Sequence, residues 1–143
     1  MIDTIDTLDR LLPHRPPIRV VRRITMHAAD RWTCPLHLRT DDWTDGAHAN
    51  GIPAFWAVEW MAQAAGLGLS LAEMSDTTPS GRLALIRSFE AAAFSLPCRE
   101  SWLVDIEKRR DGGDGLWLFR GELTDADTEA PCARAEFCLW VQS

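Results

Sequence analysis

Lysine is almost missing from this chain: of its 15 basic residues only Lys108 is a lysine, and the rest are arginine. Basic residues are also outnumbered. Against 21 Asp and Glu they leave a formal charge of −6, which excludes the globally basic footprint of a nucleic-acid-binding protein. Cysteine is scarce. Cys34, Cys98, Cys132 and Cys138 form no C-x-x-C pair and no Cys/His ligand spacing, so no metal site is expected. Cys132 and Cys138 are an even number of residues apart and would share one face of a strand. Reduced, mostly buried thiols in a cytoplasmic protein are expected. A long uncharged hydrophobic run is absent too: the most apolar stretch, 52–72, contains Glu59 and Gln63 and adjoins Glu73, so no membrane span is expected. The opening MIDTIDTLDRLLPH is acidic and lacks a basic segment followed by an apolar one. It does not read as a signal peptide. No internal repeat and no linker is visible.

What is present fits one domain over residues 1–143, since domains run to roughly 100–200 residues. A chain of this size buries roughly two thirds of its unfolded surface. A hydrophobic fraction of 46% and a charged fraction of 25% sit near globular averages and exclude disordered or collagen-like chains. The charge is uneven. Residues 10–39 hold seven Arg and one Asp, a basic excess that the rest of the chain more than offsets. The arginine preference reflects either codon usage, since Ala and Trp are abundant as well, or a need for bidentate phosphate or carboxylate contacts.

Periodicity gives the elements. Residues 4–12 place Ile5, Leu8 and Leu12 on one face of a short helix capped by Thr4 and stopped by Pro13. His14-Arg15-Pro16-Pro17 is a stiff extended segment. Strands are expected over 18–27 and 31–39; in the second, Trp32, Cys34, Leu36 and Leu38 alternate with polar residues. A polar loop, 40–51, leads into a helix from about Pro53 to Met74, with Pro53 in its first turn. That helix is apolar almost all round and is therefore buried on most sides. Four strands follow, 82–90, 101–109, 115–124 and 132–141, separated by turn-forming stretches. An α+β architecture results, with an antiparallel sheet around one long central helix. Its exposed edges invite pairing with a second copy.

Glu59 is the chemically informative residue. It lies on the buried helix with no basic residue in that helix to pair with. An isolated carboxyl there favours its protonated form and suits general acid work; the alternative is that Glu59 faces solvent or meets an Arg from a strand. Gln63, one turn on, can hydrogen-bond the Glu59 carboxyl. Amides at the helix start, around Pro53, Ala54 and Phe55, have no intrahelical acceptor and can stabilise an oxyanion. His48, in the preceding loop, is either a base near neutral pKa or a solvated side chain. His14, His27 and His37 are weaker candidates.

LLPHRPPIRVVRRI (11–24) resembles the N-terminal motif of the beta-hydroxyacyl-ACP dehydratases, and VEWMAQAAG (58–66) their central-helix motif. GIPAFWAVEWMAQAAG (51–66), RLALIRSFE (82–90) and GLWLFRGELTDAD (115–127) resemble the ApeP-like dehydratases of aryl-polyene pigment clusters. The resemblance runs over nearly the whole chain. It implies a dimeric hotdog fold, with a catalytic carboxyl at Glu59, its neighbour at Gln63 and the helix-opening proline at Pro53. Ala54 stands where the family places a glycine whose amide binds the substrate carbonyl. The family's HxPG histidine lies fourteen residues before its Glu, where this chain has Asp45; His48-Ala49-Asn50-Gly51 restores an HxxG pattern if the loop is three residues shorter.

The implied reaction is dehydration of a 3-hydroxyacyl thioester carried on the phosphopantetheine of an acyl carrier protein, without metal or redox cofactor. The rival readings are thioester hydrolysis by a hotdog thioesterase, which needs no His, and a non-catalytic partner subunit in a dehydratase heterodimer. Trp32, Trp56, Trp60, Trp102, Trp117 and Trp140 either shape an acyl tunnel or fill the core and the dimer seam. Because carrier proteins are acidic, an acidic enzyme needs a local basic dock, and Arg15, Arg19, Arg22 and Arg23 are expected to supply it.

Overall fold

The computed structural model describes Val21, residues 23–36, 52–72, 80–93, 95–96, 102–110 and 115–142. Eight strands and one helix occur among them: β1 (Thr25–Ala28), β2 (Arg31–Leu36), β3 (Ile52–Pro53), α1 (Trp56–Ala72), β4 (Ser80–Ala91), β5 (Ser95–Leu96), β6 (Trp102–Arg110), β7 (Leu116–Asp125) and β8 (Pro131–Gln142). Six strands form one antiparallel sheet in the order β1-β2-β6-β7-β8-β4, and β3 pairs with β5 separately.

The sheet has an inner and an outer face because its strands alternate. Trp32, Cys34, Val104, Ile106, Phe119, Leu123, Ala135 and Phe137 are buried on the inner face. Helix α1 lies across them with Ala57, Trp60, Met61, Ala64 and Leu67 fully enclosed. The register carries the core across the strands: Trp32 opposes Ile106, Ile106 opposes Gly121, and Gly121 opposes Ala135. Aromatic rings tie this row together, Trp32 edge-on to Phe119 at 6.1 Å and Phe119 stacked on Phe137 at 5.8 Å. Helix and sheet approach closely because small residues stand at the crossing. A Cβ on Gly121 would sit 2.8 Å from the Met61 sulfur.

The outer face carries charge instead. Arg134 Nε donates to Glu122 at 2.7 Å across β8 and β7. Thr33 Oγ1 donates to Asp105 Oδ1 at 2.7 Å. With its proton so used, Thr33 accepts from His27 Nε2 at 2.8 Å. Cys132 and Cys138 share this outer face, as their spacing requires, and Cys34, Cys132 and Cys138 are free thiols.

The four strands after the helix lie within two residues of their expected ends. Two boundaries differ, and burial decides between the two roles left open for several Trp. In the expected strand 18–27, residues 18–20 and 22 lie outside the described residues; among those described, Thr25–Ala28 pairs with β2, its register broken between Met26 and Ala28, and Val21 makes a lone bridge to Leu36. The helix starts at Trp56 rather than at Pro53, because Ile52 and Pro53 are held as a two-residue strand against Leu96 and Ser95. Trp32, Trp60 and Trp102 are core residues, almost wholly buried, whereas Trp140 lies 42% exposed on the outer face. The expected helix 4–12, the segment 14–17 and the loop 40–51 lie outside the described residues. Among the described residues no helix is long and apolar enough to cross a membrane.

Candidate active site

Glu59 stands in the first turn of α1. The turn is closed by the amides of Ala57 and Val58, which donate to the carbonyls of Ala54 and Phe55 at 3.0 and 3.1 Å. Pro53 has no amide to give. The amides ahead of the closed turn, those of Ala54 and Phe55, therefore stand at the positive end of the helix, where backbone donors attract a developing negative charge.

One side of α1 is not covered by its own sheet. Glu59, Ala62 and Gly66 are partly exposed at helical spacing, while the residues between them are buried. The stripe begins with Phe55, four residues before Glu59 and 61% exposed. Gln63, four residues after Glu59, is 2% exposed. An acidic side chain at the rim of an apolar helix face, small residues behind it and amide donors ahead of it form a site that can donate a proton and polarise a carbonyl.

Beside the helix start lies a cavity of about 480 Å³, lined by Pro53, Ala54, Phe55, Phe89, Ala91 and the two alanines after it. The Phe55 and Phe89 rings meet edge to face, centroids 5.6 Å apart and planes at 69°. Phe89 and the alanines that follow it were not singled out from sequence. The available signal was an aromatic residue on an inward position followed by Ala91-Ala92-Ala93.

The remaining candidates separate. His48, Arg15, Arg19 and Arg22 lie outside the described residues, as do His14 and His37. Arg23 is exposed, next to the buried Ile24. His27 is committed to the outer-face network with Thr33 and Asp105, on the other side of the sheet from Glu59. Cys34 is no nucleophile here: burial, and secondarily the Asp105 carboxylate, push its thiol pKa far up.

The model of the ApeP-like dehydratases, described as ApeP dehydratase, matches residues 6–140. The chain belongs to the ApeP-like dehydratase family. No curated protein matches it at a significant level. Among solved structures, this ApeP-like chain resembles a chain of the dehydratase heterocomplex ApeI:P from Xenorhabdus doucetiae, with TM-score 0.74 and 17% identity over 95% of this chain and 91% of that one. It also resembles the dehydratase domain of RzxB from Pseudomonas fluorescens, with TM-score 0.72 and 14% identity over 95% of this chain and 48% of that one. A hypothetical thioesterase with coenzyme A from Streptococcus pneumoniae TIGR4 superposes with TM-score 0.61 and 10% identity over 85% of each chain. At these identities the likeness shows the fold, which is the hotdog fold: one helix packed against a six-stranded antiparallel sheet.

Proposed function

We propose that this ApeP-like dehydratase converts a 3-hydroxyacyl thioester, held on an acyl carrier protein, into the trans-2-enoyl thioester and water. The observation that carries the reading is Glu59 at the open rim of α1, one turn beyond the helix-start amides and their cavity. His48 removes the proton on the carbon next to the thioester. The thioester oxygen, now enolate-like, is held by amides at the helix start. The C3–O bond breaks as Glu59 gives its proton to the departing hydroxyl, which leaves as water. The proton on His48 returns to the Glu59 carboxylate through solvent, and no redox cofactor or metal enters this scheme.

The β4 edge is the seam for a second hotdog subunit. β4 is twelve residues long and stands at the end of the sheet, with one side unpaired among the described strands, and it exposes Leu83 and Leu85, the latter at 54%. A long apolar edge strand is a liability unless another strand covers it. The partner is a second copy or a related subunit; a heterocomplex among the similar structures supports the second arrangement. By family resemblance the His and Glu of one site come from different subunits, so the dimer is the active unit.

Hydrolysis remains the rival because thioesterase folds superpose as well, and a helix carboxylate can activate water without a His. Mass spectrometry on the purified protein with a 3-hydroxyacyl carrier-protein thioester separates the readings. Loss of one water from the acyl group is the expected result. Free acid signals hydrolysis, and an unchanged but bound substrate signals a non-catalytic partner subunit.

A further inference from the structure

Resting on that dehydratase reading, we infer that the end of β4 and the residue after it, through Phe89, Ala91 and Ala92, select the acyl group by fixing the shape of the cavity at the helix start. The lining is composed of Pro, Phe and Ala side chains, with no side-chain donor or acceptor. A pantetheine arm carries two amides that need hydrogen-bond partners, and this wall offers none from its side chains. A hydrocarbon chain needs none. Its thioester carbonyl would meet the Ala54 and Phe55 amides while its carbons lie on the rings. At about 480 Å³, the space falls within the usual range for small-molecule sites, roughly 300–1,000 Å³.

The wall is built rather than accidental. Phe89 opposes Ala135 in the β4–β8 ladder, and Ala91 opposes Ala133. The Ala92 amide donates to the Cys132 carbonyl at 2.9 Å, so the backbone carrying the alanines is anchored to β8. On an anchored backbone the side-chain size at Ala92 sets how far a chain can extend. The Phe55 ring remains largely exposed after its contact with Phe89, which leaves a flat apolar surface for a ligand to cover.

The test is binding, read without turnover. Non-hydrolysable acyl-pantetheine analogues of increasing chain length are titrated by calorimetry into the wild-type protein, Ala92→Phe and Phe89→Leu. Wild type should gain about fourfold in affinity per methylene, hence about fifteenfold between acyl groups differing by two. Ala92 is exposed within the subunit, so Ala92→Phe should fold normally, sediment as wild type does in ultracentrifugation, keep short-chain affinity within about twofold and lose about tenfold or more for long chains. Phe89→Leu keeps an apolar strand residue and should shift the preferred length without abolishing binding. Equal weakening of every analogue, bare pantetheine included, would overturn the proposal and assign the cavity to the arm or to a partner side chain; an unchanged series would overturn it as well. The two readings fail separately. Chain-dependent binding by a protein that releases free acid refutes dehydration and keeps the wall, whereas dehydration with no effect of Ala92→Phe refutes the wall alone.

Discussion

Two glycines on α1, Gly66 and Gly68, give opposite answers to the same substitution. A methyl group on Gly68 would overlap the Trp32 indole at Cε2, Nε1 and Cδ2. Around Gly66 no described residue lies within 4 Å of such a methyl. Trp32 cannot simply step aside. It is 1% exposed, its indole N–H donates to the Ala64 carbonyl at 2.9 Å, and its ring meets Phe119. In Gly68→Ala, therefore, either the ring leaves its well or the helix lifts from β2. Overpacking of this kind costs about 1–3 kcal/mol, and losing the Trp32 hydrogen bond adds about 1 kcal/mol. Replacing a helical Gly by Ala returns about 1 kcal/mol. The net expectation for Gly68→Ala is a loss of about 1–3 kcal/mol. For Gly66→Ala only the helical term applies, giving a gain of up to about 1 kcal/mol.

Urea unfolding at one fixed protein concentration measures both variants, because the apparent stability of any protein that associates depends on concentration. The midpoint should fall for Gly68→Ala and rise for Gly66→Ala, with an unchanged slope. If both variants gain equally, Trp32 does not pack under Gly68 and helix α1 does not meet β2 there. If both lose, something covers Gly66 as tightly as Trp32 covers Gly68.

The catalytic assignments predict that Glu59→Gln lowers dehydration by about 10²–10⁴-fold with an unchanged circular dichroism spectrum; His48→Ala should do the same, and full activity in that variant removes His48 from the mechanism. Charge reversal at Arg22 and Arg23 should weaken carrier-protein substrates by about tenfold or more and short pantetheine mimics hardly at all, with the gap closing at high salt as surface electrostatics are screened. Placing lysines at Leu83 and Leu85 should yield monomers in analytical ultracentrifugation and abolish turnover if the site is shared between subunits; an intact dimer would put the seam elsewhere than β4.

Much of the fold was legible because its signals are local. The strands after the helix alternate at period two between clear turns, and α1 is too apolar to lie anywhere but inside. Pro53 was misplaced because its preference for a helix's first turn is real but weaker than a buried tertiary pairing: Ile52, fully buried and bridged to Leu96, holds the chain extended for two more residues. No local pattern announces a two-residue strand whose partner lies more than forty positions away. The site divides along the same line. Glu59 and Gln63 could be read from helix spacing, since an acid on an apolar helix demands an explanation wherever that helix packs. Phe89 could not, because in sequence it is one more apolar residue on a strand. It gains meaning only when β4, running antiparallel to β8, brings its end to the start of α1 and leaves a space there. Apolar residues are silent about whether they face the core or a ligand, and the cavity beside Phe55 lies where the end of β4 meets the start of α1. The acid proposed to move the proton is therefore visible in sequence, whereas the wall proposed to choose the acyl group is visible only in the fold.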